Sequence, residues 1–84
     1  MEHILDDDFW DAYAELPPNV QRRVPQKFQL LRQNARHPSL RFKKVGDLWA
    51  IRVSRGYRAL ARQEEEGFIW FWVGTHSEYE RRIS

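Results

Sequence analysis

Residues 48–60, Leu48-Trp-Ala-Ile-Arg-Val-Ser-Arg-Gly-Tyr-Arg-Ala-Leu60, decide the architecture of this chain. Side chains of a strand alternate between two faces. Over Leu48 to Ser54 that rule puts Trp49, Ile51 and Val53 on one face and Ala50, Arg52 and Ser54 on the other. Arg55-Gly56 then reads as a tight hairpin turn. The return strand, Tyr57 to Gln63, alternates Tyr57, Ala59 and Ala61 against Arg58, Leu60 and Arg62. The hairpin is thus expected to have one apolar face and one face bearing Arg52, Arg58 and Arg62.

On the C-terminal side, Glu65, Glu66 and Gly67 turn the chain again. Phe68 to Val73 is apolar at every position, the pattern of a strand covered on both sides. If alternation is unbroken there, Phe68, Trp70 and Trp72 share a face, opposite Ile69, Phe71 and Val73; either set can form the core. Thr75 to Ile83 leaves the sheet as a short helix or tail.

On the N-terminal side, Leu40 to Val45 reads as a strand joined to Leu48 by a Gly46-Asp47 turn. His37-Pro38 ends a preceding helix, because a residue before proline avoids helical geometry. That helix runs from about Pro18 to Ala35, with Val20, Val24, Phe28 and Leu31 as its buried stripe. Pro25 lies inside it, where proline costs about 3 kcal/mol, and the stripe keeps its phase, so a kink is expected. An earlier helix starts at the acidic run Asp6 to Asp8, where negative charge favours an N-terminus. It carries Phe9, Tyr13 and Leu16 on one side and stops at Pro17-Pro18. Ile4-Leu5 reads as a short first strand. The plan is α+β: two N-terminal helices on one face of a small antiparallel sheet. Residues 1–84 form one domain in this reading.

Composition narrows the function classes. Four Trp, five Phe and three Tyr supply the apolar area that so small a chain needs. With no cysteine, neither a disulfide framework nor a thiolate metal site is available. The start, Met-Glu-His-Ile-Leu-Asp-Asp-Asp, has neither the positive charge nor the apolar core of a signal peptide. No apolar run approaches the roughly 20 residues of a membrane helix. The expected location is the cytoplasm. Net charge is only +2, but it is unevenly spread. Half of the acids lie in residues 1–15, whereas Leu16 to Arg62 holds twelve Lys/Arg and one acid, Asp47. A stretch this basic points to an anionic partner, or else to a solvated surface neutralised by the acidic first helix.

Three segments resemble a known family. The central hairpin, Leu48 to Leu60, resembles that of the RelE/ParE toxins, with its basic strand, glycine turn and Tyr-Arg pair. His37-Pro-Ser-Leu-Arg-Phe-Lys-Lys44 resembles the stretch entering the family's second strand. Phe71-Trp-Val-Gly-Thr-His-Ser-Glu-Tyr79 resembles its last strand and the following loop. The resemblance implies the toxin of a type II toxin–antitoxin pair. RelE-like members cut mRNA in the ribosomal A site without metal, and ParE-like members act on DNA gyrase. The implied partner is an antitoxin whose acidic or apolar segment covers the basic sheet face. A module without toxicity that only docks such a partner is the third reading.

RNA cleavage needs cations at the phosphorane, a base for the 2′-OH and an acid for the leaving 5′ oxygen. By resemblance, Arg58 and Arg52 bind the scissile phosphate, which suits the planar guanidinium fork. His76 stands where the family carries an arginine or histidine near the leaving group, and its ordinary pKa of about 6.5 suits proton transfer. Tyr79 resembles a late family tyrosine that stacks on a base or positions a phosphate. Lys43, Lys44 and Arg62 extend the expected RNA contact, and Trp72 or Trp70 would stack on bases if the tryptophan face is open. Ala50 stands where some RelE-like members place a second lysine. The strands from Phe42 to Arg52 carry no carboxylate except Asp47 in the turn, so a base role for Lys43 or Lys44 would require a lowered pKa. His37 reads as a cap, and His3 as part of a mobile terminus. No histidine pair has ligand spacing, and no glycine-rich loop is present, so neither metal nor cofactor is expected.

Overall fold

The hairpin of residues 48–60 is the middle of a five-stranded sheet. The computed structural model describes all residues from Met1 to Ser84. In chain order the elements are β1 (Glu2–Leu5), α1 (Asp7–Ala14), α2 (Pro18–Gln33), a 3₁₀ turn (Pro38–Leu40), β2 (Lys43–Val45), β3 (Leu48–Ser54), β4 (Tyr57–Glu64), β5 (Gly67–Thr75) and α3 (His76–Ile83). The sheet order is β1-β5-β4-β3-β2. The α+β plan holds, but the sheet is not wholly antiparallel: β1 pairs in parallel with β5, from Glu2 opposite Gly67 to Leu5 opposite Trp70. Gly67 permits that approach. Its φ is 143°, and a Cβ there would collide with the Glu2 carbonyl.

Asp6 caps α1, its Oδ1 accepting from the Phe9 amide at 3.0 Å. The α2 stripe is as expected: Val20, Val24, Phe28 and Leu31 are all buried. Pro25 does not split the helix, which is continuous from Pro18 to Gln33. A proline at this position leaves the Gln21 carbonyl without its helical donor. The Tyr13 hydroxyl donates to that carbonyl at 3.3 Å, and Gln21 Nε2 donates back to the Tyr13 carbonyl at 3.1 Å. The lost helical bond is thereby replaced by one between helices.

The first residues of the predicted strand Leu40 to Val45 do something else. His37 accepts from the Ser39 amide through Nδ1 at 3.2 Å, which folds Pro38–Leu40 into the 3₁₀ turn. Arg41 then takes the left-handed conformation, φ 48°, and β2 starts only at Lys43.

Two buried clusters lie on opposite faces of the sheet. The larger joins Phe9, the α2 stripe, Leu40, Ile51, Val53, Ala59, Ala61, Phe68, Trp70 and Val73. The smaller contains Ala50, Leu60, Trp72 and Tyr79, with Ile83 packed against it. The expectation that Trp70 and Trp72 share a face is therefore wrong. Leu60 pairs with Trp72 and Ala61 with Trp70, so Phe71 is an unpaired bulge residue that reverses the phase of the strand. The face opposite α2 is also less open than expected, because α3 covers its β4–β5 part.

His3 is not mobile: it lies in β1, stacked on Phe68 with centroids 5.3 Å apart, and accepts from Trp70 Nε1 at 3.1 Å. Burial, then the Arg32 guanidinium and the N-terminal ammonium, push its pKa down to about 4. No helix is long and apolar enough to cross a membrane.

Candidate phosphate-binding cavity

The site starts from one cross-strand pair. Arg52 of β3 stands directly opposite Arg58 of β4, so both side chains rise from the face away from α2. Like charges in this register repel. Arg58 is held nonetheless, because Nη1 donates to the carbonyls of Ser54 at 2.9 Å, Tyr57 at 3.0 Å and Arg55 at 3.2 Å. One nitrogen thus anchors the guanidinium to the hairpin, leaving Nε and Nη2 for a ligand. Burial, and then the Arg52 charge, pull Arg58 below the usual arginine range. An anion between the two guanidiniums would relieve both effects.

The other wall is α3. Thr75 and Glu78 form a reciprocal cap: Thr75 Oγ1 accepts from the Glu78 amide at 3.1 Å, and Glu78 Oε1 accepts from the Thr75 amide at 3.0 Å. These bonds hold the Glu78 carboxyl below its usual range. The His76 amide donates to the Gly56 carbonyl at 2.8 Å, tying the first turn of α3 to the β3–β4 turn. His76 Nε2 lies 2.9 Å from Glu80 Oε1, with both side chains about half exposed. Tyr79, buried on the sheet, places its ring 5.8 Å from the His76 ring. Its phenol is pushed up by burial and by Glu80, against the opposing pull of Arg58.

These walls enclose an open cavity of about 360 Å³ lined by Arg41, Lys43, Arg52, Arg58, His76, Tyr79 and Glu80 over a floor that includes Val45 and Ala50. Five of the residues singled out in the sequence converge here: Arg58, Arg52, His76, Lys43 and Tyr79. Three do not. Lys44 pairs across the strands with Trp49, so it belongs to the opposite face from Lys43 and the arginine pair. Arg62 shares their face but stands four residues along β4 from Arg58, about 13 Å away. Its charge is already met by Glu64 at 3.0 Å and Asp6 at 3.7 Å. Trp72 is only 6% exposed, and Arg82 of α3 sits 4.6 Å above its ring, so stacking on a base is closed to it. Tyr79 keeps a place in the cavity wall, but its ring packs in the smaller core rather than standing free as a stacking platform.

Sequence reasoning missed two lining residues. Arg41 is turned into the cavity by a left-handed backbone that no pattern announces. Glu80 was legible: it follows His76 by four residues on a helix, the spacing that brings side chains together. It supplies the carboxylate that the strands lack. Four cations, a histidine and its carboxylate partner can bind a phosphoryl group and deliver a proton beside it.

A family model described as a ParE-like toxin domain matches residues 18–81. No protein of curated function matches the chain in sequence. Among solved structures, the RelB–RelE antitoxin–toxin complex from Methanococcus jannaschii contains a chain that superposes with a TM-score of 0.73 at 13% identity, covering 96% of this chain and 99% of that one. The isolated RelE toxin of E. coli superposes at 0.59 with 20% identity, covering 98% and 97%. A copper-bound mutant toxin from Helicobacter pylori gives 0.60 at 14% identity, covering 93% and 97%. At such identities the likeness is one of fold.

Proposed function

Because the chain belongs to the RelE/ParE superfamily of toxins from toxin–antitoxin systems, we propose that it is the member of such a pair that cleaves mRNA on the ribosome. The observation that carries this reading is the convergence of Arg52, Arg58 and His76 on one cavity. When a 2′-hydroxyl gives up its proton to water and attacks the adjacent phosphorus, a P–O2′ bond forms as the P–O5′ bond breaks, and negative charge gathers on the equatorial oxygens. Arg58, anchored through one nitrogen, and Arg52 opposite it stabilise that charge. His76 stands at the rim as the imidazolium that protonates the departing 5′ oxygen. Glu80, 2.9 Å from Nε2, orients the ring from the helix side. Its partner is an antitoxin, whose acidic segment over the same cations would occlude the cavity. The reaction belongs in the cytoplasm, where ribosomes are.

Inducing the protein and mapping mRNA 5′ ends tests this reading. New cuts are expected for the wild type and none for Arg58→Ala or His76→Ala. Absence of cuts at every induction level overturns it. The description of the matching family as ParE-like favours a second reading, a toxin that inhibits gyrase by binding it. Inhibition of supercoiling that survives His76→Ala would establish that reading instead.

A further inference from the structure

Arg52 lines a second cavity as well. β2 pairs only with Leu48 to Ala50, so beyond Ala50 the outer edge of β3 is free and Arg52 stands where the sheet face meets that edge. Between this edge and α2 lies an open cavity of about 460 Å³, lined by Asn19, Arg23, Lys27, Ser39, Arg52 and Arg55 together with Val20 and Ser54. No acidic residue lines it. None of its four cations joins an ion pair, since the salt bridges of the chain involve only Arg62 and His76 as positive partners. The lysine is also placed rather than free: Lys27 Nζ donates to Ser39 Oγ at 3.4 Å, and that hydroxyl lies 2.9 Å from His37 Nδ1. Burial, Arg23 and Arg52 all hold the Lys27 amine below its usual range. Four unpaired cations around one concavity destabilise one another until an anion enters.

We propose that this cavity holds a second, non-reacting phosphate of the same polynucleotide strand whose scissile phosphate lies between Arg52 and Arg58, a proposal that rests on the RNA reading above. The strand crosses the sheet face at Arg58, passes Arg52 and turns over the free edge of β3 towards Arg23 and Lys27. Arg52 is shared by both phosphates and fixes their order. The α2 site binds without reacting, because His76 and Glu80 line only the first cavity.

The test is binding of a single-stranded 2′-O-methyl oligoribonucleotide, which has no free 2′-hydroxyl and cannot be cut, measured against salt concentration. The wild type is compared with Arg23→Ala/Lys27→Ala, whose folding is checked by its melting curve. The double variant should bind more weakly at low salt, with a log–log salt slope shallower by about 0.7, one single-strand phosphate contact. The difference should vanish with a dinucleotide, which has only one phosphodiester. Equal slopes for the two proteins overturn the proposal. So does failure of the wild type to bind the oligonucleotide while the variant loses affinity for an acidic antitoxin segment. The two readings fail separately: cuts in mRNA with unchanged slopes sink the second site alone, and a changed slope without any cuts sinks the nuclease alone.

Discussion

The two faces of the sheet are built from the same strands and behave as different materials. Towards α2, fourteen buried apolar residues join in one cluster, with Trp70, Phe9 and Phe28 at its centre. On the other side the buried cluster is only four residues, Ala50, Leu60, Trp72 and Tyr79, and cations stand beside it. The pleat makes the separation. Ile51 is core and its neighbour Arg52 is site; Ala59 is core and its neighbour Arg58 is site. Stability is concentrated on one face, which leaves the other able to hold like charges together.

The largest expected effect comes from breaking the first face. Trp70→Ala removes a fully buried ring and should cost about 3–5 kcal/mol. That is a large share of the stability of a small domain, so the denaturation midpoint should collapse. Arg58→Ala, on the neighbouring strand β4, is the matched control on the second face: its stability should change by no more than about 1 kcal/mol. Comparable losses for the two variants would mean that the faces are not separable.

Gly67→Ala comes next. It forces a side chain into the Glu2 carbonyl at a φ of 143°, at a cost of about 1–3 kcal/mol. Amide exchange at Ile4 and Leu5 should accelerate while the arginine cavity, on strands β3 and β4, keeps its ligand affinity.

A pH titration sharpens the contrast from within the larger core, where His3 packs against Phe68. Its folded pKa of about 4 lies below the ordinary 6.5, so between these values the unfolded chain binds more protons than the folded one. Stability is full above pH 6.5 and falls as the pH drops towards 4. The slope should be roughly 1 kcal/mol per pH unit or less, because solvent still reaches the ring. His3→Gln should flatten that part of a plot of melting temperature against pH.

The smallest effect belongs to the second face. Arg82→Ala removes the cation above Trp72 and should cost about 0.5–1 kcal/mol, read by chemical denaturation. It should also raise the exposure of the Trp72 ring to a soluble fluorescence quencher.

Periodicity made most of this architecture legible. The β3–β4 hairpin, its turn and the α2 stripe follow from rules of two and 3.6 residues, and Arg52 and Arg58 come with them. The misreadings occur where a pattern loses its phase. In Phe68 to Val73 every residue is apolar, so nothing in the sequence marks Phe71 as the bulge that sends Trp72 to the other side. Lys43 and Lys44 are told apart only by register with Ala50 and Trp49, in a strand of three residues. β1 pairs in parallel with a strand more than sixty residues later, a choice that no local signal encodes. Arg41 depends on one left-handed residue. Glu80 alone was within reach, by helical spacing from His76.

Pro25 has one more consequence. The carbonyl it strands on Gln21 is satisfied by a hydroxyl from α1, which is in place only when the two helices have met. Alone in water, α2 is a helix with a fault at its middle; docked, the fault is mended from outside. A segment made this way is a poor autonomous folding unit. Its helicity should appear together with the tertiary structure rather than ahead of it, so this stretch should spend little time as a free amphipathic rod with its apolar stripe exposed to other chains.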